Sequence, residues 1–301
     1  MTTSAIVTYS DMTPVIDLVA DGLTSAHSRR AYRRALGDFL RWYDGQGRPG
    51  LTKATVNRYR AHLVDIGLSA ATINQAMSAI RKLATEAADN GLMEGATAEA
   101  IGRVHGVKSA GRRTGNWLTR DDAQALLLRP DVATMKGIRD RAILAVMLGG
   151  GLRRSEVAAL TFGHVQMRDA RWAIVDLVGK RGRVRTIPIP SWAKVAIDQW
   201  AAAADLTEGR IFRSVNRGGR LDGDGMTPQA IYNVVAEYAG DDAAAHDLRR
   251  TFAKLAHKGG APLEQIQLTL GHASIQTTER YLGVEQDLTH APCDVLGLGL
   301  R

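Results

Sequence analysis

One stretch, RWAIVDLVGKRGRVRTIPIP at residues 171–190, limits the fold of this chain more than any other. Trp172, Ile174, Val175 and Leu177 lead into a Gly-Lys-Arg-Gly turn, and Val184, Ile187 and Ile189 leave it, which is the pattern of a β-hairpin. It is the only convincing β region, and elsewhere apolar residues recur at helical spacing. The expected fold is therefore mainly α with a small β-sheet.

The first hundred residues illustrate the helical pattern. SRRAYRRALGDFLRWY places Tyr32, Leu36, Phe39, Leu40 and Tyr43 on one stripe, with Arg29, Arg30, Arg33, Arg34 and Arg41 between them. TKATVNRYRAHLVDIG follows and stops at Gly67. SAATINQAMSAIRKLATEAADNG then opens at Ser69, a suitable cap, and ends at Gly91. Several basic helices in one small domain suit contact with a duplex backbone. Around Lys108 to Gly115 the chain turns basic and loses its acidic residues, as a linker crossing a phosphate backbone would. A second domain opens at LTRDDAQALL, where Thr119 and Asp122 have capping-box spacing. RDRAILAVMLGGGLRRSEVAALT reads as a buried helix, a glycine break and another helix, and Thr227-Pro228 starts a further one. The expected division is residues 1–106, a linker at 107–116, and residues 117–301. A length of 301 residues accommodates two such domains.

Charge narrows the partners. Thirty-nine Lys and Arg against 31 Asp and Glu give a net charge of +8, which attracts polyanions, and nucleic acid is the commonest of these. The single cysteine, Cys293, excludes an internal disulfide and a Cys-rich zinc site, and fits a reducing compartment. The first residues lack the basic and apolar regions of a secretory signal, and no apolar run approaches about 18 residues. A cytoplasmic protein with no membrane segment is expected.

A few polar residues stand in otherwise apolar segments. Arg153 and Glu156 follow the glycine break, and their spacing of three lets them pair on a helix. Lys180 occupies the hairpin tip. His246 and Arg249 lie one helical turn apart in HDLRRTFA, and His272 precedes Tyr281 by nine residues in LGHASIQTTERYL. Each has a plain structural alternative: a salt bridge, a solvated tip, a helix-end histidine, a core tyrosine. Together they fit phosphoryl transfer at a DNA phosphodiester. Arginines grip the non-bridging oxygens, where negative charge grows in the transition state. A tyrosine hydroxyl attacks phosphorus, a lysine protonates the departing 5′ oxygen, and histidines serve as base and donor.

The chain resembles the tyrosine recombinases, or phage-integrase family, and its Xer-like members in particular. GLRRSEVAAL is similar to the box carrying the first catalytic arginine, at Arg153, and VGKRGRVRTIPIP to the hairpin of the catalytic lysine, at Lys180. HDLRRTFA matches the His-x-x-Arg box, with His246 and Arg249, and LGHASIQTTERYL the final box, with His272 and the nucleophile Tyr281. Arg154 and Arg250 depart from the usual pattern, which often has an aliphatic residue and a second histidine there.

The resemblance implies a two-domain DNA clamp, in which a helical core-binding domain joins a mixed α/β catalytic domain. It implies site-specific recombination through a 3′-phosphotyrosine and a Holliday junction, by a homotetramer on two DNA sites. It implies no cofactor, neither ATP nor a divalent metal. A second recombinase or accessory factor is compatible with it. So is a C-terminal tail, apolar at Val295, Leu296, Leu298 and Leu300, docked on its own domain or on a neighbour. The chain starts at the core-binding helices with no room for an arm-binding domain, which favours a simple recombinase. Relaxation of DNA in the manner of a type IB topoisomerase, and binding without cleavage, are the alternatives.

Overall fold

A computed structural model describes residues 9–108, 116–179, 182–240 and 243–282. Side chains 9–13, Arg280 and Tyr281 fall outside that description, as do Lys180 and the apolar C-terminus. The chain divides into two units, Met1–Arg112 and Arg113–Arg301. No described helix is long and apolar enough to cross a membrane.

The first unit is helical: α1 (Tyr9–Asp21), α2 (Ala26–Gly45), α3 (Lys53–Asp65), α4 (Ala70–Asp89) and α5 (Gly95–Gly102). Ser25, Thr52 and Ser69 start α2, α3 and α4, each accepting a hydrogen bond from a backbone N–H three residues on. Leu36, Phe39 and Leu40 of α2 meet Val56, Tyr59 and Leu63 of α3 and Ile73, Met77 and Ile80 of α4 in one core. Phe39 meets the Tyr59 ring edge-on at 5.0 Å, within the favourable range for aromatic pairs. The arginines of α2 lie off this core. Arg33 pairs with Asp17 at 2.9 Å and Arg41 with Asp38, while Arg30 and Arg34, one turn apart, are exposed.

The second unit opens with α6 (Arg120–Leu128), started by the Thr119–Asp122 capping box, and α7 (Met135–Gly150). Helix α7 forms the centre of the core: every residue from Ala142 to Leu148 is buried. It also buries an acid. Asp140 accepts from Arg139 at 2.7 Å and from the Tyr238 hydroxyl at 3.0 Å, and pairs with Lys136 at 3.0 Å. Gly151 ends α7 at φ +61°, a left-handed conformation that disfavours any side chain, and α8 (Arg154–Ala159) departs in a new direction.

The hairpin expected from sequence is present as β2 (Arg171–Val178) and β3 (Val184–Pro188). A third strand, β1 (Val165–Arg168), joins it, giving an antiparallel sheet in the order β1-β2-β3. The β2–β3 register shifts between Ile174 and Leu177, where Asp176 takes φ +53°. Beyond the bulge, Leu177 pairs with Arg185.

After α9 (Ser191–Ala203) comes a two-stranded ribbon, β4 (Ser214–Val215) with β5 (Leu221–Asp222), where sequence patterning suggested only helix. Helices α10 (Pro228–Ala239), α11 (Ala245–Lys258), α12 (Leu263–Leu270) and α13 (Ile275–Leu282) complete the unit. Ala253, Ile266, Leu270 and Leu282 gather α11, α12 and α13 around a small core of their own.

Candidate active site around a buried glutamate

Three guanidiniums converge on one carboxylate in the second unit. Arg153 precedes α8, and the Glu156 side chain folds back on it. Glu156 Oε2 accepts from the Arg153 backbone N–H at 2.8 Å, and Oε1 from Arg153 Nη1 at 2.7 Å. Arg185 of β3 donates to Oε2 at 2.8 Å, and Arg249 Nη1 of α11 lies 4.0 Å from the same oxygen. Burial would raise the Glu156 pKa, but hydrogen bonds from Arg185 and the Arg153 backbone, with both guanidinium charges, hold it below the ordinary carboxylate value. The group therefore stays ionised. Three positive charges on one negative leave an excess of two, suited to a dianionic phosphorane.

The two arginines expected to touch phosphate differ in exposure. The Arg153 side chain is 28% exposed and that of Arg249 only 1%. Arg249 donates to Gly151 O at 2.6 Å and to Leu270 O, closing the carbonyl ends of α7 and α12. Such helix ends carry partial negative charge and attract a cation.

His272 follows Gly271, which terminates α12 at φ +64°. Its Nδ1 lies 2.9 Å from Oγ1 of the buried Thr278, on α13. Burial first, then the charges of Arg249, Arg153, His246 and Arg185, lower its pKa to about 4. The ring is neutral at neutral pH. In the tautomer where the Thr278 hydroxyl donates to Nδ1, the ring proton sits on Nε2. His246, at the start of α11, is likewise pushed below the ordinary histidine value by burial, then by Arg250 and Arg249. Tyr281 lies on α13, three residues beyond Thr278.

Arg153 and Arg249 thus share Glu156, and the charges of both bear on His246 and His272. Residues 116–287 match the model of the phage integrase family, and residues 15–91 that of the phage integrase N-terminal SAM-like domain. The chain belongs to the phage integrase family.

This integrase-family chain is 29% identical over 286 residues to tyrosine recombinase XerD of Pseudomonas aeruginosa, covering 89% of the chain and 92% of XerD. It is 34% identical over 254 residues to tyrosine recombinase XerC of Corynebacterium efficiens, covering 78% of the chain and 76% of XerC. In fold it is similar to the crystal structure of the XerH site-specific recombinase bound to palindromic difH substrate in a post-cleavage complex. The TM-score is 0.68 at 17% identity, over 93% of this chain and 82% of XerH.

The sequence reading anticipated one further contributor to the integrase-family site in part and missed another. Glu156 was expected to pair with Arg153, but not to bridge Arg153 with Arg185. Arg185 itself was not anticipated, although the signal was there. Strand alternation counted back from Ile189 and Ile187 puts residue 185 on the inward face, where an arginine needs a buried partner.

Proposed function

We propose that this chain is a site-specific DNA recombinase that breaks and rejoins DNA through a tyrosyl intermediate. The observation that supports this best is the Glu156 cluster: Arg153 and Arg249 meet one buried carboxylate within the family-matched unit, and their charges bear on His246 and His272.

In this mechanism the Tyr281 oxygen attacks the scissile phosphorus. The bond to the 5′ oxygen breaks, leaving a 3′-phosphotyrosine and a free 5′-hydroxyl. Arg153 and Arg249 stabilise the charge that grows on the non-bridging oxygens. His272, neutral, donates to one of them, and His246 assists proton removal from the nucleophile. Lys180 delivers a proton to the departing 5′ oxygen. A 5′-hydroxyl from a partner duplex then attacks the phosphotyrosine, restores the tyrosine and joins the strands. Bond energy is conserved in the ester, so the cycle requires no nucleotide hydrolysis. Four protomers on two DNA sites carry the exchange through a Holliday junction.

Covalent capture tests the proposal. Wild type and Tyr281→Phe are incubated with fragmented source-genome DNA in EDTA and denatured with detergent, and DNA retained on protein is sequenced. Adducts confined to wild type and to one sequence are expected. Adducts spread evenly over the genome would replace the proposal with a topoisomerase activity, and equal retention by both proteins would remove Tyr281 as the nucleophile.

A further inference from the structure

Thr278 is 0% exposed, and its Oγ1 lies 2.9 Å from Nδ1 of His272. Other helical threonines use their hydroxyls differently. Thr85, Thr251 and Thr269 each donate to the carbonyl four residues back, at 3.2, 2.9 and 2.8 Å. Among the described residues, Thr278 Oγ1 has no hydrogen-bond partner except the imidazole. The backbone of His272 is fixed as well. Its N–H donates to Gln267 O at 3.1 Å, and Gln267 Nε2 donates to His272 O at 3.3 Å. His272 is thus tied by its backbone to α12 and by its side chain to α13, two helices packed together by Ile266, Leu270 and Leu282.

We infer that Thr278 is a positioning residue, whose hydroxyl donates to Nδ1 of His272 and so keeps the ring proton on Nε2. The inference rests on the recombinase reading above, in which neutral His272 donates to a non-bridging oxygen. A neutral imidazole has one N–H and one bare nitrogen, whereas a hydroxyl has one hydrogen and two lone pairs. Two arrangements therefore fit the contact. If Nδ1–H donated, the hydroxyl hydrogen of Thr278 would be buried with no acceptor, and a buried donor without a partner is costly. If the hydroxyl donates instead, only lone pairs go unused, which proteins tolerate better. Burial, with the charges of Arg249 and Arg153, disfavours a second ring proton. With Nδ1 occupied by Thr278, Nε2 is the nitrogen through which the proposed mechanism has His272 donate.

The test begins with NMR of the full chain, isotopically labelled at the histidine ring nitrogens. The His272 signals are assigned by their absence from His272→Ala. We expect a neutral ring with its proton on Nε2 in wild type and in Thr278→Ser. Thr278→Val, in which a methyl replaces the hydroxyl, should show a mixture of tautomers. Adduct formation is then timed on the DNA site recovered by covalent capture, with protein saturating the site. His272→Ala should slow it about 100-fold or more, the scale of a lost transition-state donor. Thr278→Val should slow it about tenfold, the scale of one hydrogen bond, and Thr278→Ser should recover most of that loss. Added to His272→Ala, Thr278→Val should bring no further loss, because it acts only through the ring.

The wild-type spectrum decides the tautomer even if Thr278→Val fails to fold, and a proton on Nδ1 there would overturn the inference. So would an equal Thr278→Val loss with and without the His272 ring, no slowing by Thr278→Val, or Thr278→Ser as slow as Thr278→Val. Each of these leaves the recombinase reading intact. Wild type forming no Tyr281 adduct would overturn that reading instead.

Discussion

At Glu156 one oxygen accepts from the Arg153 side chain and the other from Arg185 and the Arg153 backbone. Glu156→Ala leaves these guanidiniums facing one another without a counter-charge. Removing one member of such a buried group costs about 3–5 kcal/mol, which urea denaturation would detect. Glu156→Gln keeps the shape and should cost less. His272 contributes to the pH dependence of stability. Its folded pKa, about 4, lies below the ordinary value of about 6.5, so between those values the unfolded chain binds the extra proton. Stability therefore falls as pH drops from about 6.5 toward about 4. His272→Gln removes this contribution, and its denaturation midpoint should decline less than that of wild type between pH 7.5 and 5. Arg153, His246, Arg249 and His272 could be singled out from sequence because each sits in a short motif. Arg185 was not, because its partners, Glu156 and Thr269, are distant in sequence and its own strand gives only an alternation.

Among the elements, those with a complete local signal were the ones legible in the sequence. The β2–β3 hairpin has apolar residues flanking a Gly-rich turn, and α4, α6 and α10 have side-chain caps. Strand β1 has four residues with two exposed, and β4 and β5 have two each, too few to carry a period. Their existence depends on pairing with neighbours, which no local window contains. The junction of α7 and α8 yields a sharp prediction. Gly151→Ala combines the left-handed backbone with a methyl group 2.6 Å from the Phe252 ring. Together these should cost about 2–4 kcal/mol, measured by chemical denaturation. Within α7, Asp140→Ala strands Arg139, which is 5% exposed, and should destabilise the second unit by about 3–5 kcal/mol.

For the whole molecule, each unit has its own hydrophobic core, so residues 113–301 expressed alone should unfold cooperatively in a calorimeter. The full chain carries a net charge of +8, and its affinity for DNA is expected to draw on that charge. Lysines and arginines that displace counterions make binding steeply salt-dependent, and raising salt from 50 to 200 mM should weaken it by about a hundredfold or more. A gel-shift series would show a much shallower slope if few phosphates are contacted. Arg249 connects this scale to the first. Its guanidinium closes the ends of two helices and also belongs to the proposed phosphate-gripping pair. A genetic screen that scores only lost recombination would therefore merge two kinds of lesion at this position: too little protein, and protein that cannot react. The more exposed Arg153 would separate them better.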